Sequence, residues 1–329
     1  MGQAPGGELA LTLERLAGDR LTVRLVAVEY AARNTNAYAF ERLDGGVMPG
    51  AEAGAHITLI LPNGFERQYS LLRTEAAPTR YWTAVKRDPA SRGGSAYIHD
   101  HLRVGQTLQI APPRNNFPLA EDAGHSVLFA GGIGVTPILA MARRLQTRWR
   151  SFETYYACRA PEDAAFAAEL QAAGPTHLHL DDQAGRVFDI AAAVAAAPPA
   201  AHLYCCGPNP MLTAFEAATQ GWPSDQIHVE YFSGREAPDT AGGYVVELAR
   251  SKRTFAIAPG KTILDVLRAG GVDVASSCEE GVCGACETKV LSGVPDHRDV
   301  ILTREERAEN RTMFICCSGA KTDRLVLDL

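Results

Sequence analysis

Short runs of hydrophobic and β-branched residues dominate the first third of the chain. Four of them, LTVRLVAVEY, HITLIL, YWTAVK and TLQIAP, lie between about residues 8 and 112 and are separated by Gly, Pro, Asn and Asp. Several short strands at regular spacing, with little helical periodicity between them, are typical of a small antiparallel β-barrel. The pattern therefore predicts such a barrel over residues 1–122.

A different pattern begins near residue 125, where a hydrophobic strand is followed by an amphipathic helix three times. The pairs are HSVLFAGG with TPILAMARRLQTR, FETYYACR with PEDAAFAAELQAA, and AHLYCCG with NPMLTAFEAATQ. This alternation indicates a parallel sheet with covering helices. The alanine-rich stretch AAAVAAAPPAA predicts a further helix and its exit. We therefore expect a Rossmann-like α/β domain over residues 123–233.

The stretch SGREAPDTAGG interrupts both patterns. It is polar, rich in Gly and Pro and without periodicity, so we expect a linker over residues 234–243. A new β-rich run, YVVELARS, follows it, and residues 244–329 are predicted to form a third, α+β domain. Five of the eight cysteines lie in this last domain.

Charge and composition narrow the class of protein. The net charge is −6 and no basic run is present, which argues against a nucleic-acid binder. The N-terminal MGQAPGGELALTLERLAGDR lacks a basic patch followed by an apolar core, and no stretch approaches eighteen apolar residues, so we expect neither a signal peptide nor a membrane span. The expected protein is a cytoplasmic monomer whose partners are small molecules or another protein.

The stretch SSCEEGVCGACETKV places Cys278, Cys283 and Cys286 within nine residues of one another. Structural zinc usually draws its ligands from two CxxC-like pairs, but the stretch has one. A redox-active dithiol typically sits at a helix start after a strand, without a third cysteine beside it. The Cys-x4-Cys-x2-Cys spacing instead fits the loop of a plant-type [2Fe–2S] site.

Such a site needs a fourth thiolate from a later strand, and MFICCSGAK offers two. Cys316 and Cys317 are adjacent, and neighbouring strand residues point to opposite faces, so only one can face the cluster. In the loop itself, Gly281 and Gly284 can adopt positive φ and bring backbone N–H groups close to the sulfur atoms. An ordinary turn is the alternative explanation of these glycines.

Two short segments of the predicted barrel carry groups suited to a phosphate-bearing cofactor. RQYSLL, beginning at Arg67, offers a guanidinium, an aromatic face and a hydroxyl on one strand. SRGGS, residues 91–95, offers the backbone N–H groups of a glycine-rich turn. Either segment alone is also compatible with an ordinary surface strand or turn.

The α/β domain contains a candidate nucleotide-binding turn. FAGGIGVTPILAM begins as a strand and continues as a helix, with glycines between them and Thr136 as the expected N-cap before Pro137. Helix N-termini of this kind favour pyrophosphate, although glycines here can also serve packing alone. Asp181 and Asp182 follow a strand and favour NADH through the ribose 2′-OH, whereas Arg159 suits a 2′-phosphate.

Several motifs of the chain together resemble those of a known family. SCEEGVCGAC, PDHRD at residues 295–299, ICCSGAK and the terminal LVLDL are similar to the β-grasp ferredoxin domain of phthalate dioxygenase reductase and vanillate demethylase reductase. The resemblance covers essentially the whole chain, in the order flavin barrel, nucleotide domain, ferredoxin domain. It implies Cys316 as the fourth cluster ligand and leaves Cys317 as a buried strand residue.

The resemblance also implies the other site residues. FMN, rather than FAD, is expected from the RGGS that follows the AVKRD-like strand. Cys206 is expected beside the nicotinamide and the flavin, whereas Cys205 points into the sheet. The flavin residues implied are Arg67, Gln68, Tyr69, Ser70, Val85, Lys86, Arg92, Gly93, Gly94 and Ser95. Those implied near the dinucleotide and the flavin are Gly131, Gly132, Gly134, Thr136, Cys206, Gly207, Pro208, Glu230 and Phe232.

The function implied is an NADH-dependent iron–sulfur flavoprotein reductase that passes electrons from NADH to FMN and then to [2Fe–2S]. The chain has neither a Cys-x-His pair for a Rieske centre nor a haem-binding cysteine loop, so the final acceptor is expected to be a separate protein. The first hypothesis is a Rieske oxygenase of the aromatic-acid dioxygenase or O-demethylase type. The alternatives are a donor to a cytochrome P450 or dehalogenase, and a non-catalytic, metal-stabilised interaction module.

Two acids lie between the first two loop cysteines, Glu279 and Glu280. Negative charge beside a cluster makes its reduction harder. A solvated docking face is the alternative explanation of the two acids, and it is the one we favour.

Overall fold

The computed structural model describes residues 20–329; the N-terminal stretch considered above for targeting signals lies almost entirely outside that range. Among the described residues, no helix combines the length and the apolar character needed to span a bilayer. The chain divides into two compact units, one ending at Glu230 and the other running from Tyr231 to Leu329. The predicted multidomain β, α/β and α+β architecture is confirmed.

Six antiparallel strands form the first sheet, in the order β4-β3-β6-β1-β2-β5. A bridge between Leu71 and Thr83 joins its two ends, so the sheet closes as the predicted barrel. Inward-pointing apolar side chains such as Leu25, Phe40 and Ile57 fill the interior and are fully buried. The strands are β1 (Leu21–Ala32), β2 (Thr35–Arg42), β3 (His56–Ile60), β4 (Glu66–Ser70), β5 (Tyr81–Lys86) and β6 (Thr107–Arg114), and helix α1 (Gly94–His101) follows β5.

The second sheet is fully parallel, with strand order β11-β10-β7-β8-β9. Its central strand β7 is buried at every position, as expected for a strand covered on both faces. The strands are β7 (Ser126–Gly131), β8 (Phe152–Cys158), β9 (Thr176–Leu180), β10 (His202–Cys206) and β11 (Ile227–Glu230). The helices are α2 (Val135–Thr147), α3 (Ala167–Ala173), α4 (Asp181–Ala184), α5 (Ile190–Ala196) and α6 (Asn209–Ala218).

Two helix starts differ from the prediction. Thr136 is not an N-cap, because the 3-10 turn Gly132–Gly134 winds directly into α2; its buried hydroxyl donates to the Ile133 carbonyl at 3.0 Å. PEDAAFAAELQAA does not form one helix. It makes a short 3-10 turn and then α3, because Phe166 adopts a left-handed φ of 58° and interrupts the run.

The last region is a mixed five-stranded sheet with strand order β13-β12-β18-β14-β16. Helix α7 begins with a capping box between Thr262 and Asp265 and buries Ile263, Leu264 and Leu267. The elements are β12 (Tyr244–Leu248), β13 (Arg253–Ile257), α7 (Ile263–Ala269), β14 (Glu287–Ser292), β15 (Pro295–Asp296), α8 (Arg304–Glu309), β16 (Thr312–Phe314), β17 (Gly319–Ala320) and β18 (Arg324–Leu327). Strands β15 and β17 pair with each other.

The expectation that Cys316 and Cys317 lie on a strand is wrong. Strand β16 ends at Phe314, and both cysteines lie on the tight turn that follows, where the N–H groups of Cys317 and Ser318 donate to the Phe314 carbonyl. Because the two cysteines lie on a turn, the rule that adjacent strand residues point to opposite faces does not apply to them. Both side chains are buried.

Candidate cofactor sites

Four thiols of the last region lie together. In the loop, the Cys278 N–H donates to the Cys283 sulfur at 3.5 Å, and the Glu280 N–H donates to the Cys278 sulfur at 3.3 Å. The Cys278 thiol also contacts that of Cys316, which in turn contacts that of Cys286. Hydrogen bonds from the neighbouring thiols and from backbone N–H groups lower the pKa of Cys278 and favour its thiolate.

Positive φ angles at two glycines allow the loop to fold around the thiols. Gly281 and Gly284 have φ of 70° and 79°. A Cβ atom on Gly281 would lie 2.5 Å from the Cys317 sulfur and 2.9 Å from the Asp299 Cα, so no side chain fits there. Glu279, also at positive φ (58°), is held by an ion pair with Arg268 at 2.6 Å.

Cys316 and Cys317 face different surroundings. The Cys316 thiol contacts those of Cys278, Cys286 and Cys317. Besides its contact with Cys316, the Cys317 thiol lies 3.6 Å from the Phe314 carbonyl and 3.8 Å from the Ser318 hydroxyl. Of these two cysteines, Cys316 is therefore the one whose thiol directly contacts both Cys278 and Cys286.

A single zinc ion and a [2Fe–2S] cluster place different demands on a group of thiols. Within residues 20–329, no three His, Cys, Asp or Glu side chains converge in a way that would hold one metal ion. Structural zinc needs four ligands around one ion. A [2Fe–2S] cluster spreads four thiolates over two irons. The thiol contacts Cys278–Cys283, Cys278–Cys316 and Cys316–Cys286 run through all four cysteines, which together supply the four thiolates that a [2Fe–2S] cluster needs.

At the barrel, the predicted flavin motif and the glycine-rich turn meet. Gly93 (φ 116°) precedes α1, and a Cβ atom on Gly94 would lie 2.7 Å from the Arg67 Nε. The Arg67 guanidinium lies over the Phe65 ring, 4.6 Å from its centroid. A guanidinium packed directly against the N-terminus of a helix makes a cradle for a phosphate group.

The remaining flavin candidates lie nearby but differ in what they expose. Ser70 is buried and its hydroxyl has no hydrogen-bond partner, as expected for a group that meets a ligand. The Ser95 hydroxyl accepts from the Asp88 N–H at 3.1 Å. The Val85 side chain packs in the barrel core, and its carbonyl oxygen is hydrogen-bonded to the Nε2 of His99 at 2.8 Å. Lys86 is exposed. The other members are Gln68 and Tyr69 on β4 and Arg92 in the turn before α1.

The nucleotide-turn glycines have two different roles. Cβ atoms on Gly131 and Gly134 would lie 2.6 Å from the Met211 sulfur and 2.2 Å from the Cys206 carbonyl oxygen, so both glycines allow close packing of the turns after β7 and β10. Gly207 packs against Gly131 and Met211 in the same way, and it precedes Pro208, the N-cap of α6. Gly132 differs, because it has φ of 52° and open space where a Cβ would point.

Two residues that support this turn were not predicted. The Tyr156 hydroxyl donates to the Gly132 carbonyl at 3.2 Å, and the Cys158 thiol contacts the Gly132 backbone. Both lie on β8, one strand away from the turn. Both side chains lie on the buried face of β8, whose other face is partly buried, and nothing in the sequence linked them to Gly132.

Cys206 and Glu230 are direct neighbours on β10 and β11. Burial raises the pKa of the Glu230 carboxyl to about 8, and its Oε2 has no hydrogen-bond partner. The thiols of Cys205 and Cys206 are both fully buried, and burial raises the pKa of each.

Phe232 belongs to the second compact unit and is 40% exposed. Asp182 and Arg159, the competing specificity candidates, are joined by a 2.9 Å backbone hydrogen bond.

Two family models match the chain where these sites lie. The oxidoreductase NAD-binding domain matches residues 128–217, and the 2Fe-2S iron-sulfur cluster binding domain matches residues 246–321. Together with the barrel they define the class of the protein, an oxidoreductase that uses a pyridine nucleotide, a flavin and an iron–sulfur cluster.

Full-length relatives narrow the class. Phenoxybenzoate dioxygenase subunit beta of Ectopseudomonas oleovorans is 50% identical, with 94% of this chain and 97% of that protein covered. The structure of phthalate dioxygenase reductase, described as modular for electron transfer from pyridine nucleotides to [2Fe–2S], is 37% identical with a TM-score of 0.76 and covers 96% and 99% of the two chains. The chain belongs to the phthalate dioxygenase reductase family, and its cofactors are FMN, a [2Fe–2S] cluster and NAD(H).

A further solved structure is similar but much longer. An intact type IV self-sufficient cytochrome P450 monooxygenase is 38% identical with a TM-score of 0.79 over 94% of this chain. The chain spans only 41% of that protein.

Proposed function

We propose that the chain is the NADH-dependent reductase component of a multicomponent oxygenase whose terminal enzyme is a separate Rieske protein, acting on an aromatic acid as a dioxygenase or O-demethylase. The observation that carries this proposal is the presence, in one chain, of a flavin barrel, a nucleotide-binding sheet and a four-thiol group. When bound, FMN would supply an acceptor for the hydride of NADH, and the [2Fe–2S] cluster would supply one-electron transfer to the oxygenase. The dioxygenase name of the 50% identical relative supports an oxygenase as acceptor.

We assign Cys278, Cys283, Cys286 and Cys316 as the cluster ligands. Their mutual contacts and the N–H groups directed at the sulfurs support this set. Cys283 is the only one of the four that is partly exposed, whereas the other three are buried. We infer that electrons leave on the Cys283 side, where a partner can approach.

We assign the flavin phosphate to Arg67 and the turn before α1, with Gly93, Gly94 and Ser95. Tyr69, which alternates onto the same face of β4 as Arg67, is then expected to face the isoalloxazine ring. The unpartnered hydroxyl of Ser70, at the end of that strand, is a further group expected to bind the flavin. In the nucleotide domain, the open side of Gly132 is where the pyrophosphate is expected to approach, next to Thr136, Gly207 and Pro208.

We propose the domain boundaries 1–122, 123–233 and 244–329, with 234–243 as the connecting segment, and a monomer in the cytoplasm. The separation of the described strands into barrel, parallel sheet and mixed sheet supports the division. All eight cysteines lie within the described residues and none of them forms a disulfide, which fits a compartment in which thiols stay reduced.

A cytochrome P450 is the second candidate acceptor. The observation that favours it is the self-sufficient P450, in which a region similar to nearly the whole of this chain is part of a longer protein. The chemistry of the chain is the same in both cases, because only the acceptor differs.

The test uses the purified full-length protein. We expect NADH to bleach its visible absorbance and expect faster electron delivery to a Rieske oxygenase than to a P450. C316S should lose the cluster absorbance, whereas C317S, the matched control, should keep it. Protein that is not bleached by NADH would refute the reductase, and preferential reduction of the P450 would favour the second candidate.

A further inference from the structure

The PDHRD segment, residues 295–299, connects the two parts of the four-cysteine group, and the proposed electron path does not use it. Its first two residues form β15, which pairs with β17 directly after the turn that contains Cys316. At its other end, the Val300 N–H donates to the Gly281 carbonyl of the cysteine loop at 3.1 Å. The segment therefore ties the fourth cysteine to the other three.

Asp299 is the buried charge of this segment. Its side chain is fully buried, and its Oδ2 accepts from the N–H groups of Ile301 and Leu302 at 3.1 and 2.8 Å. The Arg307 guanidinium lies 3.8 Å from the same oxygen and donates to the Asp299 carbonyl. The other oxygen, Oδ1, has no hydrogen-bond partner, and His297 lies 3.8 Å from it.

The backbone of Asp299 packs directly on the loop. A Cβ atom added to Gly281 would lie only 2.9 Å from the Asp299 Cα and 2.5 Å from the Cys317 sulfur. Arg298, the preceding residue, fixes the other side, because its N–H donates to the Ser318 hydroxyl at 3.3 Å. A shift of Asp299 therefore moves the loop and the turn with respect to each other.

We propose that the pair formed by the buried Asp299 and the partly exposed Arg307 positions the cysteine loop and sets the reduction potential of the cluster. Reduction adds one negative charge to the cluster. The Asp299 carboxylate opposes that charge, and its effect is large because it is fully buried. The Arg307 guanidinium favours the charge, with a smaller effect because its side chain is 37% exposed to water. The inference rests on the proposed ligand set, in which Gly281 lies between the first two ligands. Asp299 and Arg307 are positioning residues, since neither contacts a ligand thiol in the structure.

The experiment measures the midpoint potential of the cluster in the full-length holoprotein by chemical redox titration followed in the visible spectrum. D299N keeps the shape of the side chain and removes its charge, so we expect a more positive potential. R307M removes the positive charge, so we expect a more negative potential. R307K keeps the charge and should restore a potential close to that of the unmodified protein. E309Q is the matched control: it removes a half-exposed acid from the same helix, paired with Arg311 at 3.2 Å, and should leave the potential unchanged.

Shifts of opposite sign in D299N and R307M support the proposal, because a purely structural role predicts no such sign. Unchanged potentials, or shifts in the same direction, would overturn it. Loss of the cluster from both variants while E309Q retains it would assign the pair to folding alone and would also overturn it. A chemical reductant is used, so failure of NADH or of an oxygenase partner, which bears on the proposed function, does not affect the result.

Discussion

The main-chain N–H of Asp239 donates a 2.7 Å hydrogen bond to the carbonyl oxygen of Cys317. The Asp239 side chain is almost fully buried, accepts from the Ala241 N–H at 3.1 Å and lies 3.5 Å from the Arg298 guanidinium. Part of the polar stretch between the α/β and ferredoxin regions is thus packed against the turn that contains Cys316 and Cys317, within the second compact unit.

Replacing Asp239 with alanine is expected to lower the free energy of unfolding of this unit by about 1–3 kcal/mol, because Arg298 and the Ala241 N–H lose a buried acceptor. The measurement is denaturant unfolding followed by the visible circular dichroism of the cluster. D273A removes an exposed acid of the same unit and serves as the control. Equal losses in the two variants would show that the burial of Asp239 has no energetic role.

The nucleotide turn gives a second prediction, from two neighbouring glycines. In G134A the new Cβ would lie 2.2 Å from the Cys206 carbonyl oxygen, so the turns after β7 and β10 must separate. We expect at least a roughly tenfold loss of NAD⁺ affinity, equivalent to about 1.4 kcal/mol. G132A meets no atom within 4 Å but places alanine at a φ of 52°, so it should cost only about 1 kcal/mol of stability.

Calorimetric titration with NAD⁺ and thermal unfolding distinguish the two glycine variants. A G134A protein that binds and unfolds like the unmodified one would contradict the packing role of Gly134. A large loss of affinity in G132A without loss of stability would instead place the nucleotide directly over residue 132.

The sequence predicted the elements well where a local pattern determines them. The alternation in LTVRLVAVEY and the apolar run SVLFAG each indicate a strand from neighbouring residues alone. The Cys-x4-Cys-x2-Cys spacing is likewise a local signal. The fourth ligand required the resemblance, because Cys316 and Cys317 differ only in how the turn after Phe314 directs them. The Asp299–Arg307 pair and the bond from Tyr156 to Gly132 depend on contacts between distant segments, which no local pattern encodes.

Trp149 gives a third prediction, which concerns stability alone. It follows α2 with a φ of 54° and is 94% exposed, so it combines a left-handed backbone with almost no burial of its ring. Glycine is the preferred residue at such a helix end. W149G is therefore expected to raise the free energy of unfolding by about 1 kcal/mol, whereas W149A should not, because alanine keeps the Cβ. Urea unfolding of the two variants measures the difference, and a stabilised W149A would contradict the backbone explanation.

The buried Glu230 carboxyl gives a pH-dependent prediction. Its pKa is raised by burial from an ordinary 4.5 to about 8, so between these values the folded protein keeps a proton that the unfolded chain releases. The contribution of Glu230 to the free energy of unfolding must then fall as pH rises through this window, by an amount on the order of 5 kcal/mol. E230Q cannot release the proton, so its stability relative to the unmodified protein should increase from pH 5 to pH 8 and then level off. Parallel stability curves for the two proteins, measured by urea unfolding at each pH, would show that Glu230 is ionised in the folded state.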